Sequence, residues 1–542
     1  MVKPFATGVT LQRVAEHSLT LLRHPIERDH QINVKTANDY YCPGYLRTVA
    51  HLRDTATCGA GAVVTFLGID LGTGSVKAAV VNDEGKVLAE AQRGYRVDSP
   101  QPGWAQSDPS AWLDAVRSAT TDVLKTEQPI AVGFSGQMHG VVVVDENLVP
   151  LRPAILWADA RSMHQVQSMS QRFSADQLSQ LGSPAVPGFA ATNVAWLYAN
   201  EPEVMARARY VLQPKDWLRA ALGGAIATDP SDATGTLLCD VVTEAWSPLA
   251  LAWAGLSEQL LPEIMSSNAP AGLINLRREI PAVVGAADTA CALAGLGLRP
   301  GDGFIAVGTG AQVVSVLAQP DLDSSLVTHT FATAGDIGAG WFRIGAVQNA
   351  GLSLTTALSW FGSDVAEATA ALRDGIQSSD PIYVPYVAGE RTPFMDADLR
   401  GSWHGIGLST DRAAMLRSIL EGVAQAVALA VTAVTKTGAV LPDVVPLVGG
   451  GTHDRVFRQL LADATGCALG VVDVPNAAVV GAAILAFGQV RAVNRAEVSS
   501  VVEPGQTAMQ LLAERRETMT QLVRDQQLTS GRFSQSGAGE SK

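Results

Sequence analysis

From Phe66 onward the apolar positions fall into short runs broken by glycine: Phe66–Leu71, then Gly72-Thr73-Gly74, then Val76–Val81. A polar turn, Asn82-Asp83-Glu84-Gly85, leads into a third run, Lys86–Tyr95. Short apolar runs bounded by turn residues predict strands, and this order predicts an antiparallel meander. The glycines therefore join strands and do not open a helix, which excludes a Rossmann dinucleotide turn; no Gly-x-x-x-x-Gly-Lys-Ser/Thr is present for a P-loop. The same device recurs as Phe304–Val307, Gly308-Thr309-Gly310 and Gln312–Leu317. Two copies so far apart predict two related domains, each beginning with a hairpin. The second copy has Ala306 where the first has Asp70.

Between the copies, strands at Ile130–Phe134 and Val141–Asp145 mix with helices around Pro109–Leu124 and Asp216–Leu222. After the second copy the apolar period lengthens to that of a helix. Thr410 is placed to cap a helix whose inner face is Leu416, Ile419, Leu420, Val423, Val427, Val431 and Val434, ending at Gly438. Val444–Val448 reads as a buried strand, and Gly449-Gly450-Gly451 leads to a helix capped by Thr452 and running through Asp463. Ala477–Phe487 reads as a core helix, because no apolar run reaches the roughly 18 residues of a membrane span. The expectation is two α/β domains around a cleft, with the boundary near Leu298–Gly303. Residues 1–64 are expected to be a poorly structured extension, 65–300 and 301–492 the domains, and 493–542 a C-terminal helix and flexible tail, weakly structured after about Arg491.

The chain has 542 residues, 47% hydrophobic and 17% charged, enough to bury more than one core. Its net charge of -13 argues against a nucleic-acid surface but not against ATP, whose phosphates can be held by backbone N–H groups and a cation. Five scattered cysteines (Cys42, Cys58, Cys239, Cys291, Cys467) form no Cys-x-x-Cys pair, so they predict buried thiols in a reducing cytosol. Residues 1–62 carry four of the nine histidines and mixed charge. They read as an extension, or as a start assigned upstream of a true beginning near Val63 or Val64, with neither the apolar core of a signal peptide nor the composition of a transit peptide.

Each of the three glycine turns, Gly72–Gly74, Gly308–Gly310 and Gly449–Gly451, leaves backbone N–H groups free to approach an anion. One such turn is an ordinary hairpin; three at strand ends favour a nucleotide. Asp70, beside the first turn, reads as a Mg²⁺ site reached through water, or as an Asp bonding its own turn. Asp288 follows the apolar strand Ala282–Gly285 and precedes the helix Thr289–Leu296. It reads as a helix N-cap, a place that holds a carboxylate ionised, and an ionised Asp in a cleft can take a proton from an attacking hydroxyl. Gln137-Met138-His139-Gly140 sits between two strands and offers a polar ring beside an apolar surface, as a sugar site needs, or a structural hydrogen bond.

Together these residues resemble the FGGY family of carbohydrate kinases, most closely its xylulokinase branch. The matching stretches are FLGIDLGTGSVK (66–77), GFSGQMHG (133–140), RPAILWADAR (152–161), VLQPKDWL (211–218), DPSDATGT (229–236), YVAGERTPF (386–394) and LVGGGTHDRVFRQLLAD (447–463), covering about Thr65 to Gln489. The resemblance implies an α/β fold of two actin-like (ribonuclease-H-like) ATPase domains around a central cleft. It implies Asp288 as catalytic base and sugar contact, with Met138, His139 and Trp157 beside the sugar. It also implies Asp70 at the metal, and Gly72, Thr73, Gly74, Gly308, Thr309, Gly310, Gly449, Gly450 and Gly451 around ATP. Two positions depart from the branch: Thr289 stands where Asn usually follows the catalytic Asp, and Ala158 where Trp-Asn-Asp is usual. Gly308-Thr309-Gly310-Ala311-Gln312 likewise replaces the more usual Gly-Thr-Ser-Gly. The expected activity is phosphorylation of a ketopentose, D-xylulose first, by ATP with Mg²⁺ in the cytoplasm, with no nucleic-acid or membrane partner and a homodimer among the permitted assemblies. The alternatives are a kinase for another ketose, polyol or sugar acid, and an actin-like ATP-binding regulator.

Overall fold

The computed structural model describes residues 63–336, 338–472, 476–488 and 497–536; the expected N-terminal extension over 1–62 lies outside them. The chain opens with the expected meander: β1 (Thr65–Leu71), β2 (Ser75–Asn82) and β3 (Val87–Gly94), each antiparallel to the next. Helix α1 (Pro109–Val123) follows, capped by Asp108, and then β4 (Ala131–Gly136), parallel to β1. A long excursion carries α2 (Ala190–Asn200) and α3 (Pro214–Ala221). The chain returns through β5 (Pro270–Asn275), β6 (Glu279–Val283) and the short β7 (Ala286–Ala287) into α4 (Asp288–Gly295). The resulting seven-stranded sheet has the order β5-β6-β4-β1-β2-β3, with β7 also on β4.

The second half repeats this plan. Strands β8 (Gly303–Val307) and β9 (Ala311–Leu317) form the second hairpin; β10 (His329–Ala332) and β11 (Trp341–Val347) extend it, and α5 (Gly351–Trp360) follows. Helix α6 (Arg412–Lys436), β12 (Val444–Val448), α7 (Arg455–Thr465), β13 (Ala468–Val472), α8 (Ala477–Phe487), β14 (Val498–Val502) and α9 (Gln506–Ser536) complete the chain. The second seven-stranded sheet runs β10-β11-β9-β8-β12-β13-β14, with β12 parallel to β8 as β4 is to β1. The duplicated hairpins are thus the start of duplicated sheets, each covered by helices, as in the actin-like ATPase fold.

Several local readings need correction. The cap of α6 is Asp411, which accepts from Ala414 N; Thr410 instead bonds Gly407 N. The cap of α7 is Asp454, accepting from Val456 and Phe457 N, with a 3₁₀ turn over Gly450–Thr452 between the glycines and the helix. Aspartate serves in both cases as a charged acceptor at the positive end of the helix, Asp411 for one amide and Asp454 for two. Beyond Arg491 the chain is not weakly structured throughout: β14 pairs with β13, and α9 buries Leu512, Met519 and Val523 while Arg515 pairs with Glu421 of α6 at 2.6 Å. Helix α6 is long and apolar enough to cross a bilayer, but 83% of its apolar window is buried in the second core.

Helix α8 is the crossing point. It lies late in the chain yet packs on β1, β4 and α4 of the first domain. Contact is backbone to backbone: a Cβ at Gly68 would stand 2.0 Å from Val479 O, at Gly133 1.8 Å from Ala482 O, and at Gly481 1.8 Å from Cys291 O. Only glycine permits that approach. It fixes α4, and so the residue at the start of α4, against the end of β1.

Candidate active site

Register brings the first cluster together. Asp70 lies opposite Ser135, and Ser135 opposite Ala286, so three parallel strands end at one edge of the sheet. Such edges are where α/β sheets bind ligands. Ser135 Oγ donates to Asp70 Oδ1 at 2.7 Å. Burial pushes the Asp70 carboxyl above its usual range, against the pull of Ser135 and of Lys77 across the hairpin.

Asp288 is the first residue of α4, not its cap; Ala287 holds the cap position without a side-chain bond. Its Oδ1 accepts from Thr289 N at 2.6 Å and from Thr289 Oγ1 at 3.2 Å. Burial, and then the neighbouring Asp70, push its carboxyl up to about 7 in spite of those bonds. The helix end therefore does not keep Asp288 in the ordinary carboxylate range: desolvation and a second carboxylate outweigh one turn of dipole. A carboxyl poised near neutrality is suited to accept a proton.

The corner behind Asp288 rests on buried charge. Ala287 N donates to Ser231 Oγ at 2.9 Å, and Ser231 Oγ donates to Asp229 Oδ2 at 2.5 Å. Lys215 Nζ meets Asp216, Asp229 and Asp232 at 2.7, 2.9 and 3.1 Å, all without solvent exposure. Burial works against the lysine charge, yet the three carboxylates hold it above the usual range; burial raises Asp232 well above its own. None of these was singled out from sequence, although VLQPKDWL and DPSDATGT contain them; charged residues spaced among apolar ones were the available signal.

The turns differ in what their carbonyls do. Gly72 O accepts from the Tyr95 hydroxyl and from Gln137 Nε2. Gly308 O and Thr309 O accept from Gly351 N and Leu352 N at the start of α5. Among the described residues, the amides of Thr73, Gly74, Thr309 and Gly310 donate to no protein acceptor. In the third turn Gly449 (φ 101°) and Gly451 pack on Val307, where a Cβ would meet Val307 O at 2.5 Å and Cγ1 at 2.9 Å, while Gly450 faces open space. Pairs of free amides on tied-back turns form anion cradles. The Asp70 and Asp288 carboxylates beside the first cradle would be relieved by a divalent cation. Among the described residues no group of three His, Cys, Asp or Glu could hold a metal.

Met138 is buried and His139 half-buried, with a φ of 74° at His139. Its ring stacks on Phe189 at 3.7 Å, and Nδ1 bonds Gly235 O at 2.6 Å. Burial pushes this imidazole down to about 3, so it is neutral, with Nδ1–H donating and Nε2 left as acceptor. Trp157 Nε1 donates to Thr73 Oγ1 at 2.8 Å, joining the expected sugar side to the first turn. From the second domain, Arg391 places its guanidinium 5.5 Å from the Trp157 ring, and His329 packs 6.0 Å from Phe189. Sequence reading assigned neither; Arg391 lies within YVAGERTPF, and His329 is on an edge strand without a motif.

Comparison with known proteins agrees with this geometry. The model of the FGGY family of carbohydrate kinases, N-terminal domain, matches residues 65–295, and that of the C-terminal domain matches residues 304–489. The chain is 33% identical over 425 residues to a xylulose kinase of Klebsiella pneumoniae, covering 74% of this chain and 85% of the relative. It is 31% identical over 418 residues to a xylulose kinase of Escherichia coli K12, with the same coverages. The crystal structure of a xyloylose kinase from Brucella ovis superposes with a TM-score of 0.80 at 28% identity, over 86% of this chain and 100% of that one. A gluconate kinase from Lactobacillus acidophilus shares the fold, with a TM-score of 0.80 at 22% identity over 87% and 100%. On its sequence, its duplicated sheets and its cleft, the chain belongs to the FGGY family of carbohydrate kinases.

Proposed function

We propose that the enzyme transfers the γ-phosphoryl group of ATP to the terminal hydroxyl of a ketopentose, D-xylulose first, giving D-xylulose 5-phosphate and ADP in the cytosol. The observation that carries this reading is Asp288, a carboxyl that follows the strand-end corner beside β1 and is raised to about 7 by burial and the neighbouring Asp70. In the reaction Asp288 accepts the hydroxyl proton as the oxygen attacks the γ-phosphorus and the bond to ADP breaks. The free amides of Thr73, Gly74, Thr309 and Gly310 hold phosphate oxygens, and Gly450, open to space, lets the nucleotide approach the third turn. Asp70 would hold Mg²⁺ through water; that ion, when bound, neutralises phosphate charge. The neutral His139, stacked on Phe189, accepts a sugar hydroxyl through Nε2, beside Met138 and Trp157.

The substrate follows from the xylulose kinases named as relatives and from the polar side chains of the site, His139 and Asp288. Ala158 and Thr289 change its amide content, so the sugar is to be tested directly. A coupled ADP-release assay over ketopentoses, pentitols and sugar acids is expected to give the highest kcat/KM with D-xylulose. ADP release equal with and without every sugar overturns the reading and favours an ATP-binding regulator.

A further inference from the structure

We propose that Arg391 is a sugar-positioning residue supplied by the second domain, whose guanidinium takes the carbonyl end of the ketose while Asp288 takes the hydroxyl at the other end. This rests on the function proposed above.

The backbone sets Arg391 in place. Its N–H donates to Glu390 Oε1 at 2.7 Å, and its carbonyl accepts from Met395 N at 2.7 Å. Glu390 is not its ion-pair partner: that carboxylate faces Gln348 N at 2.6 Å and Asn349 Nδ2 at 3.3 Å, on the other side of the turn. The Arg391 side chain runs instead across the cleft to the Trp157 ring. Among the described residues its guanidinium makes no hydrogen bond or salt bridge; the Trp157 ring and the charge of Glu390 are what act on it. The half-buried or buried Arg161, Arg219, Arg343, Arg417 and Arg515 each have a carboxylate. A half-buried guanidinium with no hydrogen bond of its own, and only the charge of Glu390 bearing on it, is free to take a ligand oxygen.

Its surroundings say which part of a sugar it meets. Burial and the charge of Arg391 lower both His139 and His329, whereas the charge that bears on Asp288 is that of Asp70. Arg391 therefore bears on the two histidines as well as on Trp157. His329 Nδ1 bonds Ser183 Oγ at 2.8 Å, and the Ser183 proton goes to Pro184 O at 2.8 Å, so this nitrogen donates. Its Nε2 is buried and unpartnered, an acceptor beside the acceptor Nε2 of His139. Phe189 stacks on His139 and supplies an apolar floor. Two neutral acceptors and one forked donor match adjacent hydroxyl and carbonyl oxygens: the hydroxyls donate to the imidazoles, and the carbonyl accepts from the guanidinium. Because Arg391 and His329 belong to the second domain and Trp157 and His139 to the first, the sugar bridges the cleft. Trp157 then carries its position to Thr73 of the phosphate turn.

The test uses full-length wild type, Arg391→Met and Arg391→Lys, with the best substrate found in the sugar panel. Arg391→Met is expected to raise the sugar KM about 30-fold or more, with the ATP KM within about twofold. Arg391→Lys, keeping charge without the fork, is expected to recover less than about tenfold of that loss. Calorimetric binding of the ketose and of the polyol made by reducing its carbonyl separates contact from packing. Wild type should prefer the ketose by about tenfold and Arg391→Met should bind the two alike; Arg391→Lys carries this comparison if the Met variant does not fold. A wild-type sugar KM and ketose preference in either folded variant overturns the inference alone. A wild type that phosphorylates no sugar overturns the proposed function and this inference with it.

Discussion

The two hairpins have one plan and unequal chemistry. In the first, Asp70 faces Lys77 across the turn and Ser135 on the parallel strand; in the second, the corresponding positions are Ala306, Gln312 and Val448. Both turns present a pair of free amides. Only the first adds a carboxylate, and only the first stands beside a second carboxylate, Asp288. The second turn uses its carbonyls to start α5, which makes it a rigid cradle without a charge of its own. Under the proposed function, the difference teaches that duplicated backbone suffices to hold phosphate, whereas metal and proton transfer would need side chains on one copy.

The comparison can be broken most severely at Asp288. Asp288→Ala is expected to lower kcat by about 10³-fold or more while nucleotide binding changes less than about threefold; near-normal turnover in the ADP-release assay would sink the assignment. Asp288→Asn should also stabilise the ligand-free protein. An acid whose folded value is raised favours folding while protonated and loses that contribution as pH rises from its unfolded value toward about 7. The gain in Tm should therefore be a few degrees at about pH 8 and vanish near pH 4; the opposite trend would mean that the carboxylate is stabilised, not strained.

Exchanging the hairpins' chemistry comes next. Asp70→Asn should reduce kcat by about 10²-fold and move the Mg²⁺ half-saturation upward. Ala306→Asp, which puts a carboxylate beside the second cradle, should raise the ATP KM about tenfold without restoring the loss. Rescue of Asp70→Asn by Ala306→Asp would show that the two copies are interchangeable.

A smaller effect separates cradle from packing in the third turn. Gly450→Ala, which meets open space, should leave Tm unchanged and raise the ATP KM a few-fold. Gly449→Ala, with its φ of 101° and its clash on Val307 O, should cost about 2 kcal/mol or more in urea unfolding. The smallest expected change is Thr289→Ala. Losing one hydroxyl that favours the Asp288 anion should move the acid limb of the kcat/KM profile upward by a few tenths of a pH unit. A downward shift would contradict the hydrogen bond.

Much of this was legible because it is local. The meander, both Gly-Thr-Gly turns, α8 and the long face of α6 follow from apolar period and glycine, which depend on near neighbours. Helix starts at Asp411 and Asp454 were displaced by a residue or two, since Thr410 and Thr452 carry the same capping signal and geometry chooses between them. The strand β14 was missed because an exposed edge strand has little apolar pattern of its own; it forms on the edge that β13 offers.

The sequence by itself determined the duplicated plan and the three glycine turns, because hydrophobic period and turn residues act over a few positions, and it marked Asp70, Asp288 and His139 as candidates. Tertiary structure alone decided the rest. It raised the Asp288 carboxyl to about 7, through burial and the approach of Asp70. It drew Lys215 and its carboxylates under the catalytic corner, and it brought Arg391 and His329 across the cleft. Each of these is a matter of desolvation and charge at short range between residues far apart in the chain, which no local pattern encodes.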